Sequence, residues 1–283
     1  FFQGFEGGQL LNQSAASRMY DYRSGMGVAV SDIDGDGLFD IFYTNYRTEY
    51  NALLINRLER DGAFTEQTDT YGLREGSLGV TGWGVSVVDF ELDGDEDIAI
   101  ANGLPDPFGR SEIVEEIDPS RCVSEPQSLY ERRGDGFREV TDQSGDLAGL
   151  VTSARGLAAG DIDRDGLPDL VFGVNHGRVV VMRNVSERQG HWLVLRPRWR
   201  SENRLAIGTV VRVEVNGRSQ HRVVLSGTGY LSQAPFELYF GVGDAEVIDL
   251  LEIEWPDGQV MELTDIAADQ IIEVEPLPLS YEQ

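Results

Sequence analysis

Apolar positions along this chain come in short runs broken by glycine, asparagine and clustered acids, with no stretch of helical period long enough to dominate. Three breaks share one pattern. "GVAVSD", "GVSVVD" and "GLAAGD" lead into acid-rich turns, and "DIFYTN", "DIAIAN" and "DLVFGVN" lead out of them. Runs this short, apolar throughout and rich in β-branched residues, predict strands buried on both faces. A second strand pair follows in two places. "NALLINRLERDGAFTEQTD" (51–69) and "QSLYERRGDGFREVTD" (127–142) each place an Asp-Gly turn between strand-like runs and end on Phe-x-Glu-x-Thr-Asp. The unit is therefore four strands. Its glycine (Gly27, Gly84, Gly156) stands five residues before the first acid, and its asparagine (Asn45, Asn102, Asn175) ends the second strand. The longer second interval holds an insertion, 104–126, expected as a surface loop.

From His191 the acidic turns stop. "HWLVLRP", "GTVVRVEVNG", "SQHRVVLSG", "FELYFGVG", "VIDLLEIEWPDG" and "QIIEVE" predict further strands, with "NGR" and "PDG" as turns. Four-stranded units at this period fit propeller blades or a β-solenoid, and the hairpin meander favours the propeller. The expected fold is all-β: a partial β-propeller of about three four-stranded blades over 1–190, then a small β-rich C-terminal domain over 191–283. Three blades do not close a ring, the third lacks the Phe-x-Glu-x-Thr segment, and "FFQGFEGGQLLNQSA" reads as the end of an earlier blade. Further blades are expected from an upstream fragment or from an additional chain.

The acidic turns carry the chemistry. Aligned on the first acid they read Asp32, Asp34, Asp36, Gly37, Asp40; Asp89, Glu91, Asp93, Gly94, Asp97; and Asp161, Asp163, Asp165, Gly166, Asp169. Oxygens at positions 1, 3 and 5, a sharp turn on glycine at 6 and a main-chain carbonyl at 7 make the front half of a calcium loop. Position 7 is Leu38, Asp95 or Leu167, which need offer only its carbonyl. An EF-hand is excluded: position 12 is Tyr43, Ile100 or Phe172 in place of a bidentate glutamate, and the flanks are strands. The acid at position 9 is expected to take the place of that glutamate. Up to three Ca²⁺ ions are thus expected, each bracing a hairpin. The second loop departs from the pattern, with Glu91 at position 3 and Asp95 and Glu96 as charge without a local counterion, so its occupancy is expected to be weaker.

These loops and their strands, over about 27–184, resemble FG-GAP or VCBS repeats, the type found in the calcium-binding blades of integrin α-subunit propellers. The Phe-Gly signature itself stands only at Phe172-Gly173. The tail resembles the ASPIC/UnbV domain through Asn203, Ile207, Gly208, Gly229, Tyr230, Leu231, Ser232, Gln233, Phe240, Gly241, Trp255, Pro256 and Gly258. That domain follows such repeats in bacterial secreted proteins and in a cartilage protein. The resemblance implies little about activity.

Composition narrows the partners. Forty-nine acids face 23 bases for a formal charge of −26, and every base is arginine. Three calcium ions would still leave about −20. Such a surface disfavours nucleic acid and anionic membranes, so neither nucleic-acid binding nor membrane insertion is expected. Cys122, alone, is read as a free thiol rather than an interchain bridge. Low-affinity calcium loops suit extracellular calcium. A secreted, cell-surface or periplasmic protein is expected, a mature product whose N-terminal part lies outside this sequence. His176, His191 and His221 form no zinc spacing, and no Gly-x-Ser-x-Gly elbow occurs. The expected role is a calcium-binding scaffold, adhesion or assembly module acting through a protein or glycan partner. The alternatives are an extracellular enzyme with a site in the propeller channel, and a structural subunit completed by strands of neighbouring chains. Tyr43, Tyr46, Tyr50 and Phe108 are candidates for a partner surface. Trp83, Trp192 and Trp255 are expected in cores.

Overall fold

The computed structural model describes residues 2–4, 10–104, 124–187 and 190–276. Phe108, Cys122 and nearly all of the 104–126 insertion lie outside the described residues. The fold is nearly all β: a partial propeller-like domain followed by a C-terminal β domain. The first blade is an antiparallel meander of Val28–Ser31, Asp40–Tyr43, Ala52–Arg57 and Ala63–Glu66. The second repeats it with Gly82–Val88, Asp97–Asn102, Ser128–Arg133 and Gly136–Glu139. The third has three strands, Ala154–Gly160, Asp169–Val174 and Val180–Met182. Ahead of them, Phe2–Gly4 and Leu10–Asn12 pair as a hairpin.

The repeated residues have structural work. The motif threonine closes each outer hairpin: Thr68 Oγ1 accepts the Leu53 N–H at 2.9 Å, and Thr141 Oγ1 accepts that of Leu129 at 2.9 Å. A hydroxyl thus replaces a ladder carbonyl where the sheet ends. Asn45 and Asn102 tie the turn after the second strand, donating to the carbonyls of Tyr50 and Pro126. The blades stack face to face. Phe42, Leu53 and Ile55 of the first pack against Val85, Ile98, Ile100 and Tyr130 of the second. Val88, Phe90, Ala99 and Ala101 on its other face pack against Leu157, Ala159, Leu170 and Phe172 of the third.

Glycine sets the closeness of the inner strands. A Cβ on Gly27 would lie 1.8 Å from the carbonyl oxygen of Trp83, and one on Gly84 would lie 2.6 Å from the amide nitrogen of Leu157. Main chain sits where a side chain would begin. Gly27→Ala is therefore expected to cost at least the upper end of the ~1–3 kcal/mol range for overpacking. Gly35→Ala, left-handed at φ 72° but open around its Cβ, should cost only about 1 kcal/mol. Urea denaturation of the two variants checks the order; equal losses would remove the close-approach argument.

The C-terminal domain is a sandwich. One sheet orders Leu238–Gly243, His191–Pro197 and Gln270–Val274, the last pair parallel. The other orders Arg218–Val223, Val210–Val215, Val247–Glu254 and Val260–Ala267. Leu193, Leu195, Val211, Val213, Phe240, Ile248, Leu251, Ile253 and Trp255 fill the space between. The strand Val260–Ala267 was not expected from the sequence. It is an edge strand with mostly exposed side chains, so its apolar signal is weak.

The two domains meet along the inner strands of the blades. The segment Gly227–Gln233 runs across all three. Gly229 exchanges main-chain hydrogen bonds with Val28, and the Ser232 hydroxyl accepts the Leu157 N–H at 3.1 Å. Tyr230 packs edge-on against Trp83 at 4.9 Å between centroids. Gly156, the third blade's counterpart of Gly27 and Gly84, meets Ser232 where the earlier two meet the next blade.

Candidate metal centres

Each acidic loop leaves the end of an inner strand and returns as the second strand, so the blade hairpin fixes both ends. The glycine at position 6 is left-handed in all three, at φ 89°, 97° and 92° for Gly37, Gly94 and Gly166. Position 4 is left-handed as well. Gly35 takes it without cost, whereas Leu92 and Arg164 hold it at φ 67° and 64° under strain.

The acids have distinct places. The first folds the loop over itself: Asp32, Asp89 and Asp161 accept the N–H of Gly37, Gly94 and Gly166 at 3.0, 2.8 and 3.0 Å. The acid at position 5 caps the turn, Asp36 accepting from Leu38, Asp93 from Asp95 and Asp165 from Leu167. The acid at position 9 joins the loop to the third strand. Asp40 accepts from Ile33 and Asn56, Asp97 from Phe90 and Arg132, and Asp169 from Ile162 and Asn184. Its place is thus first a cross-brace between loop and sheet. The two roles are compatible, since a carboxylate has about four lone-pair sites.

Three sets bring their oxygens within 4.8 Å of one another: Asp32, Asp34 and Asp36; Asp89, Glu91 and Asp97; Asp161, Asp163 and Asp169. Asp40, Asp93 and Asp165 stand outside these tightest sets but on the same loops. The donor set suits a hard divalent cation, being all carboxylate oxygen. Two orphans strengthen the fit. Asp32 Oδ1 and Asp34 Oδ1 are buried without a hydrogen-bond partner, a cost that a cation would remove. Some of the charge is met by arginine: Arg57 spans Asp34 and Asp36, and Arg183 reaches Asp163 at 3.3 Å.

Burial pushes Asp40 and Asp89 up to about 7, and Asp97 to about 10 with Glu91 pressing from beside it. The sign for stability follows. Without metal the folded state binds more protons than the unfolded chain between about pH 4 and 7, so stability falls as pH rises through that window. Calcium replaces those protons and should flatten or reverse the slope. Calorimetry across that range in chelator and in calcium checks it, and a chelated protein that gains stability towards neutral pH would contradict it.

Other expectations are corrected here. Asp95 and Glu96 are not unmatched: Arg218 pairs with Asp95 at 2.7 Å and Arg222 with Glu96 at 3.0 Å, both from the C-terminal domain. Sequence position gave no hint, since these partners are more than 120 residues away. Tyr50 is not a free surface aromatic, being stacked between the guanidiniums of Arg23 and Arg74 at 4.3 and 4.0 Å. Tyr43 hydrogen-bonds Asp21. Trp255 is in the sandwich core, whereas Trp192 lies on the third loop beside Gly166.

Comparison with known proteins agrees with this architecture. The FG-GAP-like repeat model matches residues 32–100, from the first acid of loop 1 into the strand after loop 2, and the ASPIC and UnbV model matches 199–277. Cartilage acidic protein 1 of Xenopus tropicalis is 26% identical over 298 residues, covering 89% of this chain and 44% of that protein. The Homo sapiens protein of the same name is 26% identical, covering 90% of this chain and 36% of its own length. The chain thus spans less than half of each of these relatives. It carries an FG-GAP-like repeat region joined to an ASPIC and UnbV domain, with low-identity homology to cartilage acidic protein 1 over most of its length.

Proposed function

We propose that the protein is an extracellular scaffold braced by calcium at its three acidic loops, acting through contact with a protein or glycan partner. The observation that carries this reading is the contact of Gly227–Gln233 with the inner strands of all three blades. These strands would line the channel of a closed propeller, and their cover supports a scaffold over an enzyme with a site there. The acids recur as a cluster on each of three equivalent loops, where a catalytic pair would occur once. No helix among the described residues is long and apolar enough to cross a membrane.

The scaffold extends past the third blade. Ile33 and Phe90 follow the first acid of loops 1 and 2, are 7% exposed, and lie under the next blade. Ile162 has the same position in loop 3 and is 55% exposed, as is Val181 at 57% on the same face. Each covered position also gives its carbonyl to the next blade: Arg132 donates to Ile33 O at 2.9 Å and Asn184 to Phe90 O at 2.8 Å. The occupant proposed for the third face is a further blade of the same repeat, from the remainder of a longer chain. It would present an apolar face and one amide or guanidinium donor to Ile162 O. The relatives have the length to supply it. Asn184, although in an Asn-x-Ser sequence, is committed to this inter-blade contact and is a poor glycan acceptor.

Mass measurement of the native material tests this. A longer polypeptide whose Ile162 region is protected from exchange supports it. A separate chain seated on the face replaces the proposed occupant, and a monodisperse 31.3 kDa monomer overturns ring completion.

A further inference from the structure

The first acid of every loop touches the C-terminal domain. His221, on the strand Arg218–Val223, places Nδ1 2.9 Å from Asp32 Oδ2, and the Asp32 side chain is 0% exposed. A Cβ on Gly241 would lie 2.0 Å from Asp89 Oδ2, so main chain of that domain packs directly on the second loop. Asp161 donates its N–H to the Tyr239 hydroxyl at 3.3 Å. Two strands, one from each sheet of the sandwich, would not reach three loops at the same position unless the surfaces were matched.

We propose that the C-terminal domain forms the outer wall of the calcium sites, with His221 as the positioning residue of the first, so that domain docking and calcium binding are coupled. The inference rests on the calcium reading above. A carboxylate accepts only, so His221 Nδ1 is the donor. Asp32 Oδ2 takes that bond together with the N–H of Gly37, while Oδ1 is buried and has no protein partner. Two donors on one oxygen fix the carboxylate rotamer and leave the other oxygen for the ion. Outer-shell partners of this kind are typically worth about 10–100-fold in metal affinity. Coupling is reciprocal: the factor by which docking tightens calcium is the factor by which calcium tightens docking. The loops and the inner-strand contact of Gly229 then act as one unit, because His221 and Gly229 lie on the same short stretch of chain.

The test uses the full chain and calcium alone as probe. Calorimetric titration of His221→Ala should show one class of site weakened about tenfold or more, with His221→Asn, which keeps an N–H near Nδ1, recovering most of the loss. Hydrogen exchange of the unaltered protein should show the amides of residues 218–232 protected more strongly in calcium than in chelator. That second measurement needs no variant to fold. Unchanged affinity in His221→Ala overturns the positioning role, and equal protection in calcium and chelator overturns the coupling. Failure of the unaltered chain to bind calcium at all is a different result, since it removes the calcium reading itself.

Discussion

In calcium at ~100 times its dissociation constant, the protein is expected to melt roughly 15–30 °C above its melting point in chelator. Each site at that saturation adds about 2.7 kcal/mol, so three filled loops add about 8 kcal/mol. The physical source is the burial of like charges. Asp32, Asp40, Asp89, Asp97 and Asp169 are nearly inaccessible to solvent, and several are driven to hold protons when no cation is present. An ion converts their repulsion into ligation, and its binding free energy becomes folding free energy because the unfolded chain has no preformed site. Asp36→Ala should remove about a third of the gap in calcium while adding little loss in chelator, where Asp36 holds only Arg57 and the Leu38 N–H. Scanning calorimetry under both conditions decides it. Equal loss in both would leave the first loop without a metal role.

The second large effect lies at the domain junction. Arg222→Ala should cost about 3–5 kcal/mol, because it strands Glu96. That carboxylate is held between the Ser31 hydroxyl and the Arg222 guanidinium, with side chains only 8% and 12% exposed for the ion pair. Burial raises its pKa and Arg222 opposes the rise; without the arginine it must take up a proton or be hydrated in a closed space. Arg222 also lies over the Phe240 ring at 5.4 Å, so truncation loses packing as well. Replacing both partners, Glu96→Leu with Arg222→Met, should recover most of the stability, since a buried pair is costly chiefly when broken. Denaturant titration of the single and double variants checks this, and a single variant within about 1 kcal/mol of the parent would show the pair to be effectively hydrated.

Much of the blade architecture is local. The glycine before each loop, the left-handed glycine within it, the asparagine after the second strand and the closing threonine all act on neighbours within one hairpin or one blade interface, so their spacing recurs and can be read. The acid at position 9 shows where that reading stops. Its presence is evident from the repeat, but its cross-brace to Asn56, Arg132 or Asn184 depends on which residue the third strand brings alongside. The edge strand Val260–Ala267 was missed because one of its faces packs weakly and its alternation is blurred by Glu262, Thr264 and Asp265.

The sequence by itself determined the repeat, the β class and the three sets of acids, because an acidic loop and a hairpin are built from residues a few positions apart. Only the tertiary structure decided what meets those loops. Arg218, His221 and Arg222 sit on one strand more than 120 residues from their partners Asp95, Asp32 and Glu96, and nothing in their own surroundings marks them. The glycine-rich turn after them likewise became the cover of the inner strands only once two separately folded sheets were laid together. Contacts of that kind are set by the shape of whole surfaces, which no local spacing records.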